Sequence, residues 1–354
     1  VEKHDEKVGL IKVRLFRPFS AKHLLEKLPK TVSKIAVLDR TKEMGAFCQP
    51  LHLDVLASIN TNMSKNDIKI VGGIYGLGGK EFSPKMVKAV FDNLDRKEPK
   101  NNFTVGIDDD VTHSSLDLKS EKIKNFTIDH TDEYSCVFYG LGGDGTVGAN
   151  KDAVKILGDN TKKNVQAYFS YDSKKAGSLT ISYLRFKDSE IKSTYVVEKA
   201  NFLACHHPMY LYKYDMLQSI KNDGIFLLNT SWTFNEIEKH LPATLKKTLI
   251  EKNIKFFTID ANEIAKKFNL GKFINNVMQS AFFKLTKIIP FEEVLEYLKK
   301  AIETTYSKKG QKVVDANNLA VEKTSEYINE ITKPSSWNDI AIDEKDQNIL
   351  NNAK

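Results

Sequence analysis

Apolar and polar residues form short blocks along the chain, and these blocks predict strands and helices in turn. In the first third of the chain, strands are expected at residues 10–16, 34–38, 68–71 and 102–107. Helices are expected between them, at residues 21–28, 51–59 and 83–94. The last of these has Ser83 at a plausible N-cap and Pro84 at the first helical position. This alternation is typical of an α/β domain with a mainly parallel sheet.

A second α/β series follows the polar and charged stretch at residues 108–131, which is the best candidate for a domain boundary. Its strands are expected at residues 135–139, 165–171, 179–185, 200–204, 224–229 and 254–259. Its helices are expected at residues 146–157, 212–220, 236–241, 261–268, 290–306 and 313–331. Beyond residue 333 the chain turns polar and reads as a linker or tail. The sequence therefore predicts two consecutive α/β domains with mainly parallel sheets.

Composition narrows the class of protein. The chain has 354 residues, of which 41% are hydrophobic and 28% charged, so a disordered, collagen-like or coiled-coil chain is excluded. No apolar run approaches the roughly 18 residues of a membrane span. Residues 1–12 are charged and lack the apolar core of a secretory signal. Because the first residue is Val and not Met, we expect a piece of a longer protein.

The charged and sulfur-bearing residues exclude further classes. The net charge is +7, but only five of the 53 basic residues are Arg. Since bidentate base reading favours Arg, this argues against sequence-specific nucleic-acid binding and for a solvated Lys-rich surface. The three cysteines, Cys48, Cys136 and Cys205, form no CxxC, so this chain alone cannot build a zinc ribbon or a cysteine-ligated iron–sulfur cluster. Their odd number, without a secretory signal, suggests a reducing compartment.

One glycine-rich segment carries candidate chemistry. Gly140, Gly142 and Gly145 fit GxGxxG directly after a predicted strand and at the start of a predicted helix. Backbone without side chains can approach a pyrophosphate closely, and the helix N-terminus offers free N–H groups and a positive dipole end. Residues nearby could add to such a site: Gly143, Asp144, Thr146, Asn150 and Lys151. For Asp144, capping of the helix is the favoured role over contact with a ligand hydroxyl.

The end of the next predicted strand supports a nucleotide site. Asp172 lies where an acidic residue holds a ribose in dinucleotide folds, and Lys174 and Lys175 follow it at once. Two adjacent cations point to a ligand that carries an additional ribose phosphate. From these residues alone, NADP with its 2′-phosphate and coenzyme A with its 3′-phosphate fit equally well.

Three other features have weaker functional interpretations. Cys205, His206 and His207 follow a predicted strand, but neighbouring strand residues point to opposite faces, so a structural or ligand-lining role is favoured over a Cys/His nucleophile. The acidic run at residues 108–110 with His113 fits a solvated turn better than a cation site. Residues 74–80 echo residues 138–144 as a faint internal repeat, which two independent strand-to-helix turns also explain.

Longer motifs around these residues resemble the central region of pyruvate:ferredoxin oxidoreductase and of its fusion relative, pyruvate:NADP oxidoreductase. The motifs are VRLFRPF at 13–19, VLDRTKE at 37–43, YGLGG at 75–79, GLGGDGTVGANK at 140–151, YDSKK at 171–175 and ANFLACH at 200–206. The resemblance covers roughly residues 8–333 in consistent order. It departs at residues 48–52, where Cys-Gln-Pro-Leu-His stands in place of the expected Glu-Pro-Leu-Tyr, and at Gly143, which replaces a commoner Ser.

The resemblance implies a place within a large enzyme that decarboxylates pyruvate on thiamine diphosphate, passes electrons to iron–sulfur clusters and forms acetyl-CoA. Residues 1–130 would be a transketolase C-terminal-like domain, residues 131–333 a gamma-type domain that binds coenzyme A, and residues 334–354 a linker or tail. Thiamine diphosphate, magnesium and the clusters would lie outside this chain. The resemblance resolves the choice of nucleotide in favour of coenzyme A, and it implies a homodimeric parent in the cytoplasm or an anaerobic mitochondrion-related organelle.

We therefore expect a fragment that binds coenzyme A and has no catalytic residue of its own. The cofactor-binding residues would be Gly140, Gly142, Gly143, Asp144, Gly145, Thr146, Asn150, Lys151, Asp172, Lys174 and Lys175. The alternatives are a free-standing NADP-dependent dehydrogenase and a pair of non-catalytic assembly domains. Neither nucleic acid nor a membrane is an expected partner.

Overall fold

The computed structural model divides into two compact units, Val1–Asp129 and His130–Lys354. It describes residues 6–63, 68–107, 111–124, 126–128, 131–171, 178–271, 273–342 and 346. Both units combine helices with a sheet whose central strands run parallel, which confirms the predicted α/β class.

The first unit is built on a three-stranded parallel sheet in the order β1-β2-β3. Its strands are β1 (Lys34–Asp39), β2 (Lys69–Tyr75) and β3 (Phe103–Val105). Its helices are α1 (Ala21–Lys27), α2 (Pro50–Asn62), α3 (Pro84–Asp95) and α4 (Glu121–Lys124).

The strand expected at residues 10–16 is wrong: this segment joins no sheet and leaves Leu10 78% and Leu15 69% exposed. Its apolar residues alternate as in a strand, but no strand in the described part of the chain pairs with it.

The carboxyl end of β1 is joined to α2 by a buried carboxylate. Asp39 accepts hydrogen bonds from the backbone N–H groups of Leu51 (3.0 Å) and His52 (3.2 Å), which lie in the first turn of α2. His52 packs against β2 where Gly72 leaves room, since a Cβ atom on Gly72 would stand 2.1 Å from His52 Nδ1. The His52 side chain is buried, and neither ring nitrogen has a hydrogen-bond partner in the described part of the chain.

This buried histidine should make the stability of the first unit depend on pH. Burial lowers the pKa of His52, partly opposed by the nearby Asp39 carboxylate. The unfolded chain binds a proton below the ordinary pKa of about 6.5, whereas the folded unit does not. We therefore expect the free energy of unfolding to fall, by up to about 1.4 kcal/mol per pH unit, as pH drops below about 6.5.

The replacement His52→Phe should remove that pH dependence, because a phenyl ring fills similar space and does not titrate. Calorimetric unfolding of the chain at a series of pH values between neutrality and about pH 5 measures the effect. Identical pH profiles for the wild type and His52→Phe would contradict the interpretation.

The second unit is built on a seven-stranded mixed sheet in the order β10-β9-β8-β7-β4-β6-β5. The strands are β4 (Glu133–Leu141), β5 (Asn164–Tyr171), β6 (Leu179–Lys187), β7 (Ala200–Cys205), β8 (Ile220–Asn229), β9 (Lys255–Ile259) and β10 (Asn329–Glu330). The central strands β4, β7, β8 and β9 run parallel, whereas β6 runs antiparallel to both β4 and β5, and β10 antiparallel to β9. The carboxyl ends of the four parallel strands therefore share one edge.

Seven helices complete the described part of the second unit. They are α5 (Thr146–Asn160), α6 (Phe234–His240), α7 (Ala243–Glu251), α8 (Ala261–Lys267), α9 (Asn275–Thr286), α10 (Phe291–Tyr306) and α11 (Gln311–Lys323). The helix expected at residues 212–220 is wrong, because two 3-10 turns, Pro208–Tyr212 and Met216–Ser219, precede a longer β8. The helix expected at residues 313–331 ends at Lys323.

Two hydrophobic cores pack on opposite faces of the seven-stranded sheet. One contains Phe138 and Phe202 with residues of α5, α8, α9, α10 and α11. The other contains Val137 and Leu203 with residues of α6 and α7, and also Trp337. Trp337 is only 2% exposed, so the segment expected to be a tail stays packed on this unit as far as that residue. No helix in the described ranges is long and apolar enough to cross a bilayer.

Candidate functional site

The glycine loop (Gly140–Gly145) leaves the carboxyl end of β4 and leads directly into α5. Gly143 (φ +93°) and Gly145 (φ +88°) adopt the left-handed backbone that favours glycine. Gly140 is glycine for another reason, since a Cβ atom there would lie 2.7 Å from Thr146 Oγ1. Among the residues that the structure describes, no atom lies within 4 Å of a Cβ built on Gly143, so these residues leave space open there. This edge of the sheet is where α/β proteins bind ligands.

Asp144 holds the loop in shape. Its carboxylate accepts hydrogen bonds from the backbone N–H groups of Leu141 (2.9 Å) and Thr146 (2.7 Å), one on each side of the turn. The Asp144 side chain is only 12% exposed. Both oxygens therefore bond the loop's own backbone, whereas the N-cap position of α5 belongs to Gly145, where no side chain caps the helix.

Thr146 turns inwards. The residue is buried, and its Oγ1 lies 2.7 Å from Nδ1 of His206 at the end of β7. The hydroxyl expected to contact a ligand is therefore used inside the protein, because the first turn of α5 packs on the sheet through this side chain. Thr146 can contribute to ligand binding through its position as the first residue of α5.

His206 connects the loop to the neighbouring strands. Its backbone N–H donates to the Tyr139 carbonyl (2.9 Å), and its own carbonyl accepts from Asn229 Nδ2 (3.0 Å). Asn229 Oδ1 in turn accepts from the N–H of Ala261, at the start of α8. These bonds fix the carboxyl ends of β4, β7 and β8 relative to one another, beneath the loop.

The electrostatic setting of His206 keeps its ring neutral. Burial lowers its pKa, and the Asp144 carboxylate, 3.9 Å from Nδ1, partly opposes this. Burial also raises the pKa of Cys205 and of Tyr210 to about 12 each. The Cys205 thiol therefore stays protonated near neutral pH and is no candidate nucleophile. As strand alternation predicts, Cys205 and His206 pack on opposite faces of the sheet.

Asn150 and Lys151 lie on different sides of α5. Asn150 is buried, and its Nδ2 has no hydrogen-bond partner among the residues that the structure describes. Lys151 is exposed, and its Nζ lies 5.6 Å from the centre of the Phe169 ring on β5. Of these two residues, Lys151 therefore presents its polar group on the surface, over β5.

The expected cluster Asp172, Lys174 and Lys175 lies outside the described residues. The described residues on either side are next to the loop: Tyr171 pairs with Thr180, which pairs with Gly140, and the N–H of Gly142 donates to the Ser178 carbonyl at 2.7 Å. The connection also differs from a dinucleotide fold, because the antiparallel strand β6 stands between β4 and β5. The strand after α5 is thus the first strand of a hairpin.

The remaining candidates do not join this site. In the first unit, residues 77–79 form a 3-10 turn, and α3 begins only at Pro84, so the apparent repeat does not reproduce the direct entry of Gly145 into α5. Residues 108–110 lie outside the described residues. All three cysteines are buried free thiols. Within the described ranges no three His, Cys, Asp or Glu residues are grouped as metal ligands.

Sequence reasoning missed the bonds that join Asp144, Thr146 and His206. The available signal was that the glycine loop and the Cys-His pair both follow strands that end at the same edge. β4 and β7 pair in parallel, with Tyr139 opposite Cys205. The residues that follow the two strands are therefore close enough to contact one another.

Comparison with known proteins identifies the family. Residues 135–327, more than half of the chain, match the family model described as pyruvate ferredoxin/flavodoxin oxidoreductase. Residues 1–87 match the model for core domain II of pyruvate:ferredoxin oxidoreductase. A solved pyruvate oxidoreductase subunit from Thermotoga maritima aligns over 57% of this chain and 99% of its own, with 24% identity and a TM-score of 0.45.

Curated relatives are similar over nearly the whole chain. Pyruvate:ferredoxin oxidoreductase from Moorella thermoacetica is 52% identical over 97% of this chain, and a pyruvate-flavodoxin oxidoreductase from Enterobacter agglomerans is 48% identical over 94%. A pyruvate dehydrogenase (NADP+) from Cryptosporidium parvum is 46% identical over 95%. The chain spans 29%, 28% and 17% of the length of these three relatives. It therefore belongs to the pyruvate ferredoxin/flavodoxin oxidoreductase family.

Proposed function

We propose that the second unit binds coenzyme A and that its glycine loop receives the phosphates. The observation that carries this proposal is the open, left-handed turn at Gly143, which leads straight into the N-terminus of α5 at the ligand-binding edge of the sheet. Backbone without a side chain admits a bulky diphosphate at close range, and a helix N-terminus favours negative charge.

The first turn of α5 supplies donors for that charge. The first regular backbone bond of the helix runs from the N–H of Ala149 to the Gly145 carbonyl. By helix geometry, the N–H groups of Val147 and Gly148 precede any intrahelical acceptor. Asp144 bonds the N–H of Thr146 and so fixes the direction in which this turn points. We assign the phosphate contacts to these backbone groups and to Lys151.

The fold favours this proposal over a free-standing NADP-dependent dehydrogenase. Dinucleotide-binding sheets place the strand after the first helix parallel and next to the strand that carries the glycine loop. Here β6 separates β4 from β5 and runs antiparallel to both. In the described sheet, the end of the strand after the first helix is therefore one strand further from the glycine loop than in such folds.

In the parent enzyme, we propose that this unit presents coenzyme A to chemistry carried out elsewhere. Relatives named as pyruvate oxidoreductases are more than three times as long as this chain. This length supports the proposal that one domain binds coenzyme A and other domains carry out the reaction. The second unit would hold the nucleotide end, and the thiol would reach an acetyl group bound to thiamine diphosphate in another domain. Oxidation through iron–sulfur clusters, homodimer formation and the transketolase C-terminal-like role of residues 1–130 belong to the same proposal.

The lysine pair should read the 3′-phosphate of coenzyme A. Charge reversal at Lys174 and Lys175 together should weaken coenzyme A binding roughly tenfold or more, because hydrogen bonds to charged groups are each worth about 1.5–3 kcal/mol. Binding of dephospho-coenzyme A, which lacks that phosphate, should weaken less. Titration calorimetry with both ligands measures the difference.

The chain contains a matched control for that experiment. Lys308 and Lys309 also follow a serine, lie in the same unit and have basic side chains on the surface. Reversing their charges changes the net charge of the protein by the same amount and should leave both affinities unchanged. Equal losses for the two ligands at Lys174 and Lys175 would show that the pair does not read the 3′-phosphate.

A further inference from the structure

An exposed aromatic surface lies at the end of β5, beside the glycine loop. Tyr171, the last residue of the strand, is 59% exposed, and Phe169 two residues earlier is half-buried. Large exposed aromatic side chains cost solvation free energy unless something covers them, so their position next to a ligand loop is informative.

Phe169 and Tyr171 both face the side of the sheet that α5 covers. A Cβ atom on Gly158 of α5 would lie 3.1 Å from Val165, and Lys151 Nζ lies over the Phe169 ring. Because alternate residues of a strand share a face, Tyr171 continues the row of Val165 and Phe169. From Gly158 to Lys151 the helix runs back along the strand, so Tyr171 lies level with the first turn of α5.

Tyr171 is within nucleotide distance of the loop. It pairs with Thr180, and Thr180 pairs with Gly140, so two strand spacings, about 10 Å, separate Tyr171 from the start of the loop. In the first turn of α5, Gly148 presents no side chain, and no described residue outside the helix backbone lies within 4 Å of a Cβ atom built on it. The first turn of α5 therefore offers bare backbone at Gly148, while Tyr171 at the end of β5 offers an exposed aromatic ring.

Lys151 adds charge to this surface. Within the described part of the chain, no carboxylate lies in salt-bridge distance of its ammonium group, which instead stands 5.6 Å from the centre of the Phe169 ring. A cation over one aromatic ring, in a row that a second aromatic residue continues, suits a ligand with both a flat base and a phosphate.

We propose that Tyr171, backed by Phe169, is the stacking surface for the adenine ring of coenzyme A. This inference rests on the proposed function, since it assumes that the phosphates lie at the glycine loop. The adenine would lie on the exposed face of the Tyr171 ring, with the Lys151 ammonium over the neighbouring Phe169 ring. Stacking depends on the flat face of the ring and not on the phenol hydroxyl, so phenylalanine should serve as well as tyrosine.

The test compares three variants of the 354-residue chain. Tyr171→Ala removes the ring, Tyr171→Phe keeps it, and Tyr168→Ala is the matched control. Tyr168 is a tyrosine of the same strand and 50% exposed, but it lies on the opposite face, with its ring 6.3 Å from that of Tyr183. Titration calorimetry is carried out with coenzyme A, adenosine 3′,5′-bisphosphate and 4′-phosphopantetheine.

Tyr171→Ala should weaken coenzyme A and adenosine 3′,5′-bisphosphate by a similar factor of roughly ten or more, because alanine replaces a full base–ring stack. It should leave 4′-phosphopantetheine, which has no base, unchanged. Tyr171→Phe and Tyr168→Ala should bind all three ligands as the wild type does.

Two outcomes would overturn the inference, and they are distinguishable. If the wild type binds coenzyme A and Tyr171→Ala binds it equally well, the adenine lies elsewhere although the proposed function stands. If the wild type binds neither coenzyme A nor adenosine 3′,5′-bisphosphate, the proposed function fails and the stacking surface fails with it.

Discussion

Replacing Gly140 by alanine should displace the start of α5 and lower the free energy of unfolding of the second unit by about 1–3 kcal/mol. The added Cβ atom would stand 2.7 Å from both Cβ and Oγ1 of Thr146. Thr146 cannot move aside easily, because it is buried and bonded to His206. Displacement of this turn should also weaken coenzyme A binding by at least tenfold, since the backbone donors of α5 would point elsewhere.

Denaturation followed by tryptophan fluorescence measures the stability change. Both tryptophans, Trp232 and Trp337, belong to the second unit, so the signal reports that unit alone. Gly148→Ala is the control for stability, because it makes the same change within α5 at a site where no other described side chain lies within 4 Å of the added Cβ atom. It should stabilise the unit by roughly 0.5–1 kcal/mol. Equal effects of the two substitutions would contradict the crowding at Gly140.

Replacing Asp144 by alanine should destabilise the second unit by about 1–3 kcal/mol, because two partly buried N–H groups lose their acceptor. These groups belong to Leu141 and Thr146, on opposite sides of the loop. Without the carboxylate the loop should lose its fixed shape, and coenzyme A affinity should fall with it. The loss of order outweighs the relief of repulsion between the carboxylate and the bound phosphates.

Asp144→Asn separates the two effects. It removes the negative charge but retains one oxygen that can accept one of the two bonds, so the loss of stability should be intermediate. Fluorescence-monitored denaturation and titration calorimetry on both variants measure stability and affinity. Tighter coenzyme A binding by Asp144→Ala than by the wild type would show that Asp144 acts on the ligand through its charge and does not organise the loop.

Much of the fold could be predicted because strands and helices here have strong local patterns. The strand at residues 135–139 and the helix from Thr146 were expected from apolar periodicity and were found as β4 and α5. The helix α9 was missed although eight of its residues are buried, because Asn276, Gln279 and Ser280 make its buried side partly polar. These side chains are satisfied by partners far along the chain, such as Val321 for Ser280, which no local pattern reveals.

The candidate site could be located from the sequence but not assembled from it. The GxGxxG spacing after a strand pointed to the loop between β4 and α5. The role of Thr146 was different from that expected, because its partner, His206, is 60 residues away. Sheet order caused the other difference, since nothing local indicated that β6 would insert between β4 and β5. Long-range pairing decides both features.

The most direct measurement is titration calorimetry of the 354-residue chain with coenzyme A and, separately, with NADP+. The two ligands share an adenosine diphosphate with an additional ribose phosphate, so they test the same loop with different remaining parts. We predict saturable binding of one coenzyme A per chain and no comparable binding of NADP+. Tight binding of NADP+ without binding of coenzyme A would contradict the proposed function.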